Sequence, residues 1–324
     1  MDFKKIFIPE KGDEKTTIVR KSIILAAVGV FAVCLVSVIV YIARPAETPP
    51  IAVTETTTIN VITTQTTTAP PETTAETTTT RPPLVTDEEK YGEFLEKNPD
   101  TAGWIKVSDI VDQVVLQTTD NEKYLDKDFN LNYNIGGSVY IDYRCNVLDY
   151  ADLVSDNIVI YGHNQRDGTA FGKLKNYKVT KANSRNIEYY KKNPTFEFSN
   201  LYETHTYKIV SIYVIEVEPR QNPRGEIFDY HNYIQFNRVK QEPYTYATWE
   251  SQILAHSAID TGVDIEKGDK FVTLSTCSNE FDPSRFVIIG RRVRDGESPE
   301  VDTSKAVLNE DAIEPDWAYI YNNS

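Results

Sequence analysis

The sequence predicts a mainly β domain that follows one transmembrane helix. After about residue 86, most apolar segments are short, rich in Val, Ile, Tyr and Phe, and bounded by Gly, Asn, Asp or Pro, as the strands of a barrel or sandwich are. An uninterrupted apolar run occupies residues 22–43. As a helix it would be roughly 33 Å long, enough to cross a hydrocarbon core.

The charges that flank this run predict its orientation. Only Arg44 follows closely, whereas six basic residues precede the run: Lys4, Lys5, Lys11, Lys15, Arg20 and Lys21. The positive-inside bias therefore places residues 1–21 in the cytoplasm and the rest of the chain outside the cell membrane. The run is longer than the apolar part of a secretory signal, which indicates an uncleaved, single-pass signal anchor.

The next segment, residues 44–85, is predicted to be a disordered stalk. Fifteen of the residues between Thr54 and Thr80 are threonine, and prolines lie nearby. Such a stretch has too little apolar surface to offset the entropy of ordering. The stalk would hold a folded domain, residues 86–295, at some distance from the lipid.

Within the domain, a capping box at Thr86 predicts a helix that runs to about Lys97. A second helix is predicted between about Phe236 and Ala258, where Trp249, Ile253, Leu254 and Ala258 recur at helical spacing. The predicted strands are Gly103 to Val107, Gln113 to Thr118, Ser138 to Asp142, Asn157 to Tyr161, Thr195 to Ser199, Thr206 to Val217, Lys270 to Thr276 and Arg285 to Val293. The acidic tail, residues 296–324, has no predicted function, and its packing is left open.

Charge and cysteine content exclude several classes of protein. The net charge of −14 falls entirely after residue 83, which disfavours a nucleic-acid partner. Of three cysteines, Cys34 lies in the apolar run, so this is no disulfide scaffold, although a single Cys145–Cys277 bridge is an alternative. His205, His231 and His256 show no metal-ligand spacing. We predict no metal and no other cofactor.

Three side chains, those of Cys277, Arg285 and His163, predict a catalytic site. Cys277 ends one predicted strand, Arg285 begins the next, and His163 follows the strand Asn157 to Tyr161. If the last two strands pair as a hairpin, the thiol and the guanidinium meet at one end of the sheet. Nucleophile, proton carrier and oxyanion partner suffice for acyl transfer through a thioester. Taken singly, each of these residues also has a structural interpretation: an inert buried cysteine, a turn histidine and a surface arginine.

The segments around these residues resemble the sortase family of Gram-positive surface transpeptidases. The core motifs are Thr-Leu-Ser-Thr-Cys at residues 273–277 with Arg285, and Tyr-Gly-His-Asn at residues 161–164. Residues 98–105, 120–125, 141–144 and 286–290 are similar to class B members in particular. The resemblance covers nearly the whole chain from the apolar run to about residue 295.

This resemblance implies an eight-stranded β-barrel with N-terminal helices and a long helix inserted before the cysteine strand. It also implies that Cys277 attacks the carbonyl after the threonine of a C-terminal sorting signal, of the Asn-Pro-x-Thr-Asn or Pro-x-Thr-Gly type. A cell-wall amine, from a peptidoglycan precursor or cross-bridge, then releases the surface protein from the thioester as a new amide.

Site roles follow from chemistry and resemblance together. Cys277 would be the nucleophile, His163 the proton carrier, and Arg285 the group that binds the oxyanion or the peptide backbone. Six residues are predicted to bind substrate: Ser275, Thr276, Asn121, Leu125, Asn164 and Glu280. Ser275 is preferred to Thr276, because only alternate side chains of a strand face one side.

Two other functions stay open at this point. One is a pilin-polymerising sortase, whose acceptor is a lysine of another subunit. The other is a non-catalytic, stalked surface-binding module, which the anchor and stalk would suit equally well.

Overall fold

Eight strands close into a β-barrel in the order β1-β2-β3-β4-β8-β9-β6-β5. The structure is a computed structural model that describes residues 85–149, 153–179, 186–217, 228–236, 245–278 and 283–317, all within a unit that extends from Thr78 to Ser324. The strands are β1 Thr101–Val107, β2 Val111–Leu116, β3 Tyr140–Ile141, β4 Asn157–Tyr161, β5 Thr195–Asn200, β6 Thr204–Glu216, β7 Ile259–Asp260, β8 Phe271–Cys277, β9 Ser284–Arg292 and β10 Val307–Leu308. The helices are α1 Glu88–Lys97, α2 Ile187–Lys192 and α3 Tyr246–His256, with 3₁₀ turns at Gly172–Tyr177, Tyr230–Asn232 and Thr303–Lys305.

The mainly β prediction is confirmed, since each of the eight predicted strands corresponds to a barrel strand. Bounds differ by at most two residues, with β3 shorter than predicted at both ends, and the two-residue strands β7 and β10 were not predicted. No helix among these described residues is long and apolar enough to cross a membrane. The predicted cytoplasmic segment, the apolar run of residues 22–43 and the stalk up to residue 84 lie outside the described residues.

The barrel brings the ends of three strands to one rim. β4 pairs with β8 in parallel, so both strands end on the same side. β8 pairs with β9 in an antiparallel hairpin, so β9 begins where β8 ends. The interior is filled by alternate side chains of these strands, among them Ile158, Ile160 and Leu274. Because side chains fill the interior, the rim and the outer face are the places where a substrate-binding site can form.

Helix α3 covers the outer face of β8 and β9. Its Trp249 and Ile253 are fully buried and pack with Phe271 and other outward-facing strand residues. Thr245 caps the helix through a reciprocal bond with Thr248. The predicted apolar stripe was partly wrong, because Leu254 is exposed and Ala258 lies beyond the helix end.

Helix α1 begins at Glu88, one residue later than a helix capped by Thr86 would begin. The Asp87 side chain, not that of Thr86, accepts the bond from the Lys90 amide. The helix is fixed to the barrel by Tyr91, whose hydroxyl lies 2.7 Å from Ser199 Oγ on β5. A carboxylate at the N-cap also interacts favourably with the helix dipole.

The C-terminal segment packs on the barrel as far as it is described. Its strand β10 pairs with β7. Glu297 accepts two bonds from the Arg291 guanidinium, at 2.6 and 2.7 Å, and one from Lys208. The side chain of Arg291 is fully buried. Residues past the predicted boundary at 295 therefore neutralise a buried charge on strand β9.

Candidate active site

Cys277 and Arg285 meet across the β8–β9 hairpin. They are direct register partners, so their side chains emerge on the same face of the sheet. Arg285 Nη1 lies 3.6 Å from Cys277 Sγ and also donates to the Ser284 carbonyl at 3.0 Å. The structure thus joins the thiol and the guanidinium as the predicted hairpin requires.

The parallel strand β4 carries the histidine loop to the same rim. Tyr161, its last residue, is in register with Ser275, and the Gly162 amide donates to the Ser275 carbonyl at 3.2 Å. Two residues further, Asn164 Nδ2 donates to the Cys277 carbonyl at 2.8 Å. Asn164 therefore fixes the loop to the cysteine itself, which is a local structural role.

His163 lies in this loop between Gly162 and Asn164. Its Nε2 is 2.8 Å from the Leu125 carbonyl oxygen. A carbonyl only accepts, so Nε2 carries a hydrogen and the neutral ring has its free lone pair on Nδ1. This bond also draws the segment between β2 and β3, which contains Leu125, towards the rim.

The two residues before the cysteine are both buried. Ser275 shares the face of Cys277, as alternation predicts, but its Oγ is only 2.7 Å from the Tyr230 hydroxyl and its side chain is covered. Thr276 lies on the opposite face, in register with the core residue Phe286. The structure therefore argues against a groove position for Thr276 and gives the Ser275 hydroxyl a buried partner in Tyr230.

The remaining substrate-binding predictions have mixed outcomes. Asn121 uses its amide internally, since its Oδ1 accepts from the Tyr143 amide at 3.0 Å and its Nδ2 donates to Asp142 at 3.1 Å. The Leu125 side chain is exposed beside the histidine loop, where a peptide could reach it. Glu280 lies outside the described residues.

An ion pair near the site, between the buried Asp142 and the solvent-exposed Arg144, was missed as a functional feature. The fully buried carboxylate of Asp142 accepts from Arg144 Nε at 2.9 Å and Nη2 at 2.8 Å, and from the Tyr161 hydroxyl at 3.0 Å. Burial acts to raise the pKa of Asp142, but the bonds and charge of Arg144 outweigh it and hold that pKa below its usual range. The motif at residues 141–144 was the available signal, whereas nothing in the sequence marked Tyr230.

The two described cysteines occupy different environments, and both are free. The alternative of a Cys145–Cys277 disulfide is therefore wrong. Cys145 is buried, and its sulfur accepts from the Val159 amide at 3.4 Å. Burial raises the pKa of the Cys145 thiol to about 12, so it is protonated and shielded at neutral pH. Among the residues that the structure describes, no group of three metal-ligating side chains occurs.

Comparisons with known proteins agree with this arrangement. A family model for the sortase domain matches residues 111–293. Sortase B of Listeria monocytogenes is 30% identical over 210 residues, which are 60% of this chain and 71% of that protein. Sortase B of Staphylococcus aureus is 27% identical over 206 residues, which are 62% and 74% of the two chains.

Solved structures are similar in fold as well. A Staphylococcus aureus sortase B–substrate complex has a TM-score of 0.51 at 25% identity, covering 64% of this chain and 86% of that one. A mutant form of Clostridium perfringens sortase B has a TM-score of 0.52 at 25% identity, covering 64% and 88%. The chain belongs to the sortase family, in its class B, and is accordingly a cysteine transpeptidase.

Proposed function

We propose that this transpeptidase cleaves a C-terminal sorting signal after threonine, through a thioester on Cys277, and transfers the surface protein to a cell-wall amine. The observation that carries the proposal is the 3.6 Å approach of Arg285 Nη1 to Cys277 Sγ, at the rim that also holds the histidine loop. A relative whose solved structure is a substrate complex supports a peptide substrate.

The first half of the reaction forms the thioester. The Cys277 thiolate attacks the carbonyl carbon after threonine, and the resulting oxyanion lies within reach of the Arg285 guanidinium, because that guanidinium already contacts the attacking sulfur. The carbon–nitrogen bond then breaks, and protonated His163 gives its proton to the departing amine.

The second half transfers the acyl group. An incoming amine gives its proton to the now neutral His163 and attacks the thioester carbonyl. A carbon–nitrogen bond forms and the carbon–sulfur bond breaks, which regenerates the thiolate. Arg285 remains charged throughout, so it stabilises the oxyanion of both halves without itself exchanging a proton.

The proposal includes the cellular setting that the sequence predicts. The apolar run of residues 22–43 would anchor the protein in the cell membrane with its N-terminus in the cytoplasm. The threonine-rich stalk would then present the barrel to surface proteins and to peptidoglycan amines outside. The support for this setting is the run, its flanking charges and the composition of the stalk.

Full-length protein in mild detergent, incubated with fluorogenic peptides that contain Asn-Pro-Ala-Thr-Asn or Pro-Ala-Thr-Gly, tests the proposal. We expect cleavage after threonine, a thioester at Cys277 by mass spectrometry, and a new amide when an amine acceptor is added. Cys277→Ala should abolish cleavage. Cys145→Ala is the matched control and should retain it; cleavage by Cys277→Ala would refute the assignment of the nucleophile.

A further inference from the structure

A buried carboxylate that the proposed reaction does not use lies beside the active-site rim. Both oxygens of Asp142 are occupied: Oδ1 accepts from the Arg144 amide and Nε, and Oδ2 accepts from Arg144 Nη2, the Tyr161 hydroxyl and Asn121 Nδ2, all at 2.8 to 3.1 Å. Asp142 thereby joins the segment between β2 and β3, which holds Asn121, to the end of β4. That end is in register with the cysteine strand.

Arg144 extends this connection to a further segment of the chain. Its Nη1 donates to Asn232 Oδ1 at 2.7 Å and its Nη2 to the His231 carbonyl at 2.9 Å. Both acceptors belong to the 3₁₀ turn Tyr230–Asn232. The first residue of that turn, Tyr230, bonds Ser275, two positions before the cysteine.

The two elements joined in this way both reach the strands at the active-site rim. Asp142 bonds Tyr161 at the end of β4, Tyr230 bonds Ser275 on the cysteine strand, and Tyr161 and Ser275 are register partners. A peptide bound over Cys277 would therefore lie between the segment that carries Asn121 and the turn that carries Tyr230. We refer to this space as the peptide groove.

The chemistry of the Asp142–Arg144 pair suits a role in fixing the distance between the two elements better than a role in stabilising the fold. The Arg144 side chain is 35% exposed, and an ion pair that reaches solvent contributes little to stability, so the pair is weak evidence for stability alone. A planar guanidinium, in contrast, presents five donors in a fixed fork and so sets the distances among all its acceptors at once. Arg144 bonds Asp142, which also holds Asn121, and it bonds Asn232 in the turn, so it connects the two elements.

We propose that Asp142 and Arg144 form a clamp that sets the width of the peptide groove and so determines how tightly the sorting peptide binds. They are positioning residues, because neither contacts the sulfur or the guanidinium of the site. This inference rests on the proposed function, since it assigns a role in binding the peptide of that reaction.

The test is Arg144→Lys, which keeps the charge but loses the fork. We expect KM for the cleaved fluorogenic peptide to rise about tenfold, the factor that corresponds to one lost hydrogen bond of a charged group. We expect kcat to change less than about threefold, and alkylation of Cys277 by iodoacetamide less than about twofold, because the clamp does not touch the sulfur. Asn232→Ala, which removes the side-chain oxygen that accepts from Arg144 Nη1, should raise KM in the same direction by a smaller factor.

Arg291→Lys is the matched control, since it makes the same substitution in an ion pair with Glu297 at the end of the β8–β9 hairpin that is remote from Cys277. It should lower the thermal midpoint while leaving KM unchanged. An unchanged KM in Arg144→Lys, or an equal rise in Arg291→Lys, overturns the clamp. If Arg144→Lys does not fold, Asn232→Ala decides, and an unchanged KM there also overturns it. Failure of the proposed function is seen separately, as wild-type protein that does not cleave or Cys277→Ala that does.

Discussion

The buried bond between Tyr230 and Ser275 gives the sharpest test of how the site is built. The two hydroxyl oxygens are 2.7 Å apart, and the residues are 3% and 1% exposed. Tyr230→Phe removes one partner and leaves the Ser275 hydroxyl unsatisfied, which should cost about 1–3 kcal/mol of unfolding free energy. Ser275→Ala should cost a similar amount, because the phenol is then the unpaired group.

The double variant Tyr230→Phe/Ser275→Ala separates this bond from general packing. Replacing both partners leaves no polar group unpaired, so its loss should be clearly smaller than the sum of the single losses, with a coupling of about 1 kcal/mol or more. Urea unfolding at neutral pH measures the three values, and 1 kcal/mol corresponds to roughly 2–4 °C in thermal midpoint for a domain of this size. Strictly additive losses would refute the buried bond.

The same cycle decides the role of Ser275 in catalysis. If Ser275 acts through the bond alone, Tyr230→Phe and Ser275→Ala should change KM for the peptide alike. If Ser275 instead contacts the peptide, as the sequence predicted, only Ser275→Ala should raise KM. Peptide cleavage by both single variants, measured well below their unfolding midpoints, distinguishes the two results.

Three further predictions concern charge and reactivity. Arg285→Ala should fold but lose about 10²–10³ in kcat, the loss expected when one oxyanion donor is removed; a loss below tenfold would argue against its role. Iodoacetamide at pH 7.5 should modify Cys277 and spare Cys145, whose pKa burial raises to about 12, with modified peptides mapped by mass spectrometry and heated protein as the control. Burial acts to raise the pKa of Asp142, but the bonds and charge of Arg144 lower that pKa by a larger amount. The pKa of Asp142 in the folded protein therefore lies below its unfolded value of about 3.9. The stabilisation is then present above about pH 4 and is lost as pH falls through the folded pKa. Asp142→Asn should flatten the acid limb of an unfolding-versus-pH curve, and an unchanged limb would contradict the ion pair.

The strands were predictable because their signal is local. β4, from Asn157 to Tyr161, was predicted with its observed bounds, since a short apolar run between polar residues specifies a buried strand wherever it pairs. The capping residue of α1 was missed because Thr86 and Asp87 are equally good caps in sequence, and only the path of the chain selects between them. Strand β10 gave no pattern, since two residues are too short to show one.

The sequence identified Cys277, His163 and Arg285 as candidates through their residue types, their places at predicted strand ends and the resemblance of the surrounding motifs to the sortase family. The tertiary structure decided everything that depends on pairing across long separations. It bonded Asn164 to the Cys277 carbonyl, paired Ser275 with Tyr230, turned Thr276 inward and bonded Arg144 to Asn232. The physical reason is that local propensity acts over a few residues, whereas hydrogen-bond partners more than forty positions apart become neighbours only when the barrel closes.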